Sequence, residues 1–188
     1  MHEIVRHVGS IIDDLNESEI KEMIAAVRGS ERIFLMGAGR SGLAARAFAM
    51  RLVQLGLTTY VIGETVNPAM TEKDLLIAVS GSGETTSILS AARVAKGVGS
   101  KVLAVTSYPE SSLGKIADQV ARVKGKTKID IEKDYLKHQL EGTHTSLAPL
   151  GTLFEDTVMI FFDGIIAGLM TELGREETYM KKRHATLE

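Results

Sequence analysis

The sequence has no cysteine and no tryptophan, and only three of its 188 residues are proline. The missing thiols exclude a disulfide scaffold, an iron–sulfur site, a thiol nucleophile and any cysteine-ligated zinc. Neither sign of charge dominates: 22 Lys and Arg stand against 24 Asp and Glu, a formal net charge of −2. Broad affinity for nucleic acid needs a basic field, so no nucleic-acid partner is expected. Tyr60, Tyr108, Tyr135 and Tyr179 form no run on which bases could stack. No apolar run reaches the roughly 18–20 residues that span a bilayer. The longest, Val158 to Met170, is broken by Asp163 and two glycines. The opening MHEIVRHVGSIIDD carries acids and helical spacing, unlike a signal peptide. The expectation is a cytoplasmic protein with no membrane partner.

What the chain does have is a repeated grammar of strands and helices. Ile4, Val5, Val8, Ile11, Ile12 and Leu15 recur at helical spacing, and Asn16 or Ser18 caps a second helix that runs through Val27 to a stop at Gly29. Arg32 to Met36 is a short apolar strand, followed by Gly37-Ala-Gly-Arg-Ser-Gly42, a helix from Leu43 to Leu55 and a β-branched strand from Thr58 to Ile62. The pattern then repeats. Asp74 to Val79 reads as a strand, Ser80-Gly-Ser-Gly-Glu-Thr85 as a turn, Thr86 to Val98 as a helix and Lys101 to Thr106 as a strand. Leu113 to Ala117 is a short helix and Gln119 to Val123 a last strand. Strands alternating with helices imply right-handed crossovers. The expected fold class is therefore α/β, with five parallel strands doubly wound and helices on both faces. From Lys124 to Ala148 the pattern lapses, with a possible short helix over Asp130 to Leu140. Pro149 opens a strongly apolar helix to about Leu173, and a short helix and the tail Lys181 to Glu188 follow. One domain over 1–188 is expected.

Ligands of doubly wound sheets bind at the carboxyl ends of the strands, where both glycine-rich turns sit. The first fits G-x-G-x-x-G, and Glu64 after the second strand could serve the acidic position of a dinucleotide site. No Walker lysine follows either turn. In the second turn Ser80, Ser82, Thr85 and Thr86 put four hydroxyls around glycines at a helix start. Capping needs one such residue. The excess, with backbone N–H groups and the helix dipole, suits a phosphate monoester.

These two turns together resemble the sugar isomerase (SIS) domain. Ala148-Pro-Leu-Gly-Thr-Leu-Phe-Glu155 and Arg183-His-Ala-Thr-Leu-Glu188 narrow the resemblance to the 6-phospho-3-hexuloisomerases over nearly the whole chain. It implies a flavodoxin-like three-layer fold and cofactor-free interconversion of D-arabino-hex-3-ulose 6-phosphate and fructose 6-phosphate. It also implies a homotetramer whose sites are built across subunit interfaces. Carried over by position, phosphate contacts fall on Ser41 and on Ser80, Gly81, Ser82, Gly83, Glu84 and Thr85, and the proton acceptor on Glu155. Gly39, Arg40 and Arg51 complete the candidate substrate contacts. The charged Lys124–Ala148 connection is longer than in some relatives. The alternatives within this resemblance are another SIS aldose–ketose isomerase and a non-catalytic sugar-phosphate sensor.

Moving a carbonyl between neighbouring carbons needs a base beside it, and a carboxylate held out of bulk water suits that work. Against this, Thr152-Leu-Phe-Glu155 is also a capping box at a helix start. His184 is the candidate for ring opening or for protonating enediolate oxygens. Its alternative is a solvated histidine on a frayed tail, although Leu187 offers an apolar anchor for docking. Arg46 and Arg51 could neutralise phosphate or enediolate charge, or form surface ion pairs. Glu84 could orient a sugar hydroxyl or simply favour the helix dipole. His2, His7, His138 and His144 form no spaced metal set. Asp163, inside an apolar helix, reads as a satisfied buried carboxylate or an interface residue.

Overall fold

Short runs of three to six residues bounded by turn signals become strands when a parallel sheet is covered on both faces. In the computed structural model, which describes residues 1–125 and 151–184, five such runs form one sheet. They are β1 (Ile33–Gly37), β2 (Thr59–Val61), β3 (Leu75–Val79), β4 (Lys101–Thr106) and β5 (Gln119–Arg122). Every pairing is parallel and the order is β2-β1-β3-β4-β5. The helices are α1 (His2–Asp13), α2 (Glu17–Gly29), α3 (Arg40–Gln54), α4 (Thr86–Gly97), α5 (Ser112–Ile116), α6 (Thr152–Leu173) and α7 (Glu177–Lys181). The expected α/β class and five-stranded parallel sheet are thus what is observed. The Asp130–Leu140 helix, the start at Pro149 and most of the Lys124–Ala148 connection lie outside the described residues.

Alternate strand residues face opposite ways, so the sheet has two cores. Ile33, Leu35, Leu75, Ile77, Val79, Leu103 and Val105 pack with α1, α2, α3, α6 and α7. Phe34, Leu76, Ala78, Val102 and Ala104 pack with α4 and α5. In the first core Phe48 of α3 and Phe162 of α6 stack with centroids 4.2 Å apart and rings 4° from parallel. That stack fixes the spacing of the two helices that carry the candidate site. Local signals set several helix ends. Asn16 accepts from the Ser18 N–H at the start of α2, Ser111 accepts from the Gly114 N–H at α5, and Gly174 at φ 59° closes α6. Asp163 lies on the exposed side of α6, which removes the buried-carboxylate reading.

At the amino edge of the sheet a different pair joins β1 to β3. Asp74, whose side chain is fully buried, accepts from Arg32 Nε at 2.9 Å and Nη2 at 2.6 Å, and from the Thr71 N–H at 2.6 Å. Burial pushes the Asp74 carboxyl up, but these bonds outweigh it and hold it below the usual carboxylate range. A carboxylate with a lowered folded-state pKa adds stability above its unfolded value of about 3.9, and that stability is lost as pH falls through the lower folded value. Thermal melts from pH 7 to 2 should show this loss in the native protein, with a shallower acid limb in Asp74→Asn, which is less stable at pH 7. Equal acid limbs would contradict the assignment.

Candidate active site

Register decides where the two glycine-rich turns meet. Gly37 pairs with Val79, so β1 and β3 end level and their turns emerge side by side. This is the point where the winding reverses direction, from β1 outward to β2 and then back to β3. In the first turn the backbones of Gly37 and Gly42 touch. A Cβ on Gly37 would fall 2.7 Å from the Gly42 nitrogen, and one on Gly42 2.7 Å from the Gly37 oxygen. Gly39 adopts φ 58°, ψ −134°, which side chains disfavour. The chain then enters α3 at Arg40, three residues earlier than the apolar periodicity suggests. No side chain caps that end, and the Arg40 and Ser41 N–H groups have no acceptor among the described residues.

The second turn is braced by its own hydroxyls. Ser80 and Thr85 hydroxyls lie 3.0 Å apart, Ser80 Oγ accepts from the Gly83 N–H at 3.1 Å, and Ser82 Oγ accepts from the Glu84 N–H at 3.2 Å. The end of β4 and the start of α5 brace it further: Gly81 O accepts from the Ser107 N–H and the Thr106 hydroxyl, and Gly83 O from the Leu113 N–H. Gly83 sits at φ 67°, and a Cβ there would come within 1.9 Å of Ser111 Oγ. Thr85 holds the N-cap position of α4 but its hydroxyl makes no cap bond. The Thr86 and Ser87 N–H groups are left without acceptors among the described residues. Two uncapped helix starts at one sheet edge make an anion-binding arrangement. Glu84 is tied to the start of α5 in this geometry. Its Oε1 accepts from the Ser112 N–H at 2.8 Å, and that bond, with the Ser112 hydroxyl, holds its carboxyl below the ordinary range.

The third element is the start of α6. Gly151, at φ 76°, is the N-cap and Thr152 the first helical residue, so the capping box does not form. Phe154 is buried between two glycines. Its ring would lie 2.9 Å from a Cβ on Gly81, and its Cα 2.5 Å from one on Gly125. This wedge joins α6 to the second turn and aims the next residue at the first. Glu155, 17% exposed, has Oε2 2.5 Å from Arg40 Nε. The approach lies off the hydrogen-bonding direction, and that oxygen is sealed from solvent with no directed partner among the described residues. Arg40 Nη2 donates to Asp156 Oδ1 at 2.9 Å. Gly39, Arg40, Ser41, the Ser80–Thr85 turn and Glu155 are therefore gathered at one edge.

Arg51 and His184 are not. Arg51 is about 16 Å further along α3 at 1.5 Å per residue, where it donates to Gln54 Oε1 at 3.1 Å. The chain after α6 docks at that same far end. Arg175 and Arg183 flank the Tyr179 ring at 4.9 and 4.5 Å, and Tyr179 and Arg183 crowd Gly56. His184 follows directly. Arg46 pairs with Glu64, the residue a dinucleotide site would have used. Among the described residues no three His, Asp or Glu gather as a metal cluster; His138 and His144 lie outside them, as does Leu187. No helix of the described residues is long and apolar enough to cross a membrane. Asp156, Phe154, Thr106 and Ser111 were not singled out from sequence. Asp156 had a signal, being a second acid at a helix start; the other three have none without the packing.

Residues 26–133 match the SIS domain family. An uncharacterized protein of Aeropyrum pernix is 50% identical over 95% of this chain and 87% of its own. The 3-hexulose-6-phosphate isomerase of Bacillus subtilis is 38% identical, covering 97% of both chains. A solved protein of Methanococcus jannaschii, whose crystal structure was taken to infer 3-hexulose-6-phosphate isomerase function, superposes with a TM-score of 0.77 at 33% identity. It covers 92% of this chain and 87% of that one. With a parallel sheet, two glycine-rich turns at its switch point and relatives matched end to end, this chain belongs to the SIS domain family, in the group that includes the 3-hexulose-6-phosphate isomerases.

Proposed function

We propose that this phosphosugar isomerase of the SIS family interconverts D-arabino-hex-3-ulose 6-phosphate and D-fructose 6-phosphate, without a metal or cofactor, through a 2,3-cis-enediol. The observation that carries the reading is a carboxylate, Glu155, delivered to the uncapped start of α3 beside a second uncapped start at α4. The substrate phosphate is held by Ser41, Ser80, Ser82 and Thr85 with backbone N–H groups of both turns, and this grip orients the C2–C3 segment. Glu155 takes the proton from C3 of fructose 6-phosphate. The electron pair becomes the C2–C3 double bond and the oxygen on C2 gains a proton. Return of the carbon-bound proton to C2, with loss of the proton on the C3 oxygen, gives the 3-ketose.

Ring opening is assigned to His184, and the position of the tail gives that assignment a condition. In its own chain His184 lies at the end of α3 opposite Glu155, so it serves the site of a neighbouring copy. An oligomer also accounts for the apolar stripe on α3, where Leu43, Met50 and Val53 are 63%, 45% and 49% exposed. Homotetramer formation and the cytoplasmic setting belong to this same proposal.

Glu155→Gln should lower kcat for fructose 6-phosphate by about 10²–10⁴ with the fold intact; near-normal turnover would remove it as the base. Ser82→Ala should raise KM for the phosphorylated ketose, and unchanged kinetics would contradict the cradle. Light scattering should give a solution mass several times 20.3 kDa. Met50→Glu should lower mass and turnover together, whereas a fully active monomer would show that His184 of another copy is not needed.

A further inference from the structure

The contact between Arg40 and Glu155 sets a conflict inside the reaction just described. A base that takes a proton from carbon must turn an oxygen toward the substrate. Yet Glu155 Oε2 is closed to solvent and faces Arg40 Nε at 2.5 Å. A guanidinium in that position closes Oε2 to a sugar carbon. The two arms of Arg40 are not equivalent, however. Its Nη2 makes a well-formed bond to Asp156 at 2.9 Å, whereas its Nε meets Glu155 off axis. The guanidinium offers five N–H groups on three nitrogens, so Nη2 can stay on Asp156 while the neighbouring Nε–H exchanges partners.

A second partner is implied by where Arg40 stands. It is the first residue of α3, and its own N–H and that of Ser41 are unpaired there among the described residues. An anion seated on those groups lies beside the base of the Arg40 side chain. A phosphate dianion carries more charge than a carboxylate and matches the fork as well.

We propose that Glu155 and a phosphate oxygen of the substrate compete for the Nε–H of Arg40, so that seating the phosphate releases the base, with Asp156 keeping the guanidinium in reach through Nη2. Arg40 is then a positioning residue, and the phosphate contributes to proton abstraction as well as to binding. A ketose without a phosphate meets a base still held by Arg40. This inference rests on the isomerase reading above.

The test splits the substrate into two pieces. L-Erythrulose, an open-chain ketose with the C3 configuration of fructose, is incubated with the protein in D₂O with and without phosphite dianion. Deuterium entry at C3 is followed by NMR. Phosphite should raise the native rate on the order of ten-fold, equivalent to about 1.4 kcal/mol. In Arg40→Gln phosphite should add less than about two-fold to that variant's own phosphite-free rate. In Asp156→Asn the phosphite activation should shrink, and Arg40→Lys, lacking the fork, should restore only part of it. Circular dichroism of each variant checks the fold. Full phosphite activation in Arg40→Gln, or none in the native protein while it turns over fructose 6-phosphate, overturns the coupling and leaves the isomerase standing. No exchange of fructose 6-phosphate by the native protein means that the isomerase reading has failed, and the coupling with it.

Discussion

The pairing of β1 with β3 is the constraint on which the rest of this molecule depends. From Ile33 with Leu75 to Gly37 with Val79 the two strands run in one register, and nothing else makes their following turns neighbours. Parallel strands need covering on both faces, which sends α3 to one side of the sheet and α4 to the other. Their amino ends still meet at the same edge, because both strands stop level. A shift of one register pair would separate the turns and exchange the faces of one strand's side chains. The pair of half-buried Arg32 and buried Asp74 anchors the opposite end of the same two strands. It holds the frame from below while the turns do their work above.

On that frame, contacts between residues distant in sequence finish the site. Arg40 and Asp156 are 116 positions apart and meet because Phe48 and Phe162 stack α3 against α6. Phe154 then wedges between Gly81 and Gly125, where any side chain would collide with it. Glycine at these positions therefore answers to packing rather than to turn geometry. The result joins a charged pair at one helix start to a hydroxyl-braced turn at the next. Such a junction lets the remote end of a small substrate influence the reacting end, which is how binding energy can act on the chemical step.

The fold was legible because buried parallel strands leave continuous apolar runs, and Leu75 to Val79 and Val102 to Val105 cannot be mistaken for half-exposed alternation. The site was legible in its pieces. Both glycine-rich turns and Glu155 stood out, since each combines residue types that simple capping does not need. Two local readings went astray for one reason. Glycines at positive φ, Gly39 and Gly151, reset where the next helix begins, so α3 starts inside its motif and Thr152 is the first helical residue instead of the cap. The Arg40–Glu155 contact and the far-end docking of His184 depend on helix packing, and no local pattern encodes them. For Asp163 only the buried-carboxylate alternative fails, because the helix turns that residue outward; the interface alternative stands.

The central claim is that a proton moves between C2 and C3 of a phosphosugar. It is tested most directly by NMR of fructose 6-phosphate incubated with the protein and a chelator in D₂O. Deuterium entering C3 of fructose 6-phosphate and C2 of a newly formed hex-3-ulose is the result the account predicts. Exchange confined to C1 would mean aldose–ketose chemistry, and with it a different substrate geometry at Glu155. No exchange at either carbon would contradict the account outright.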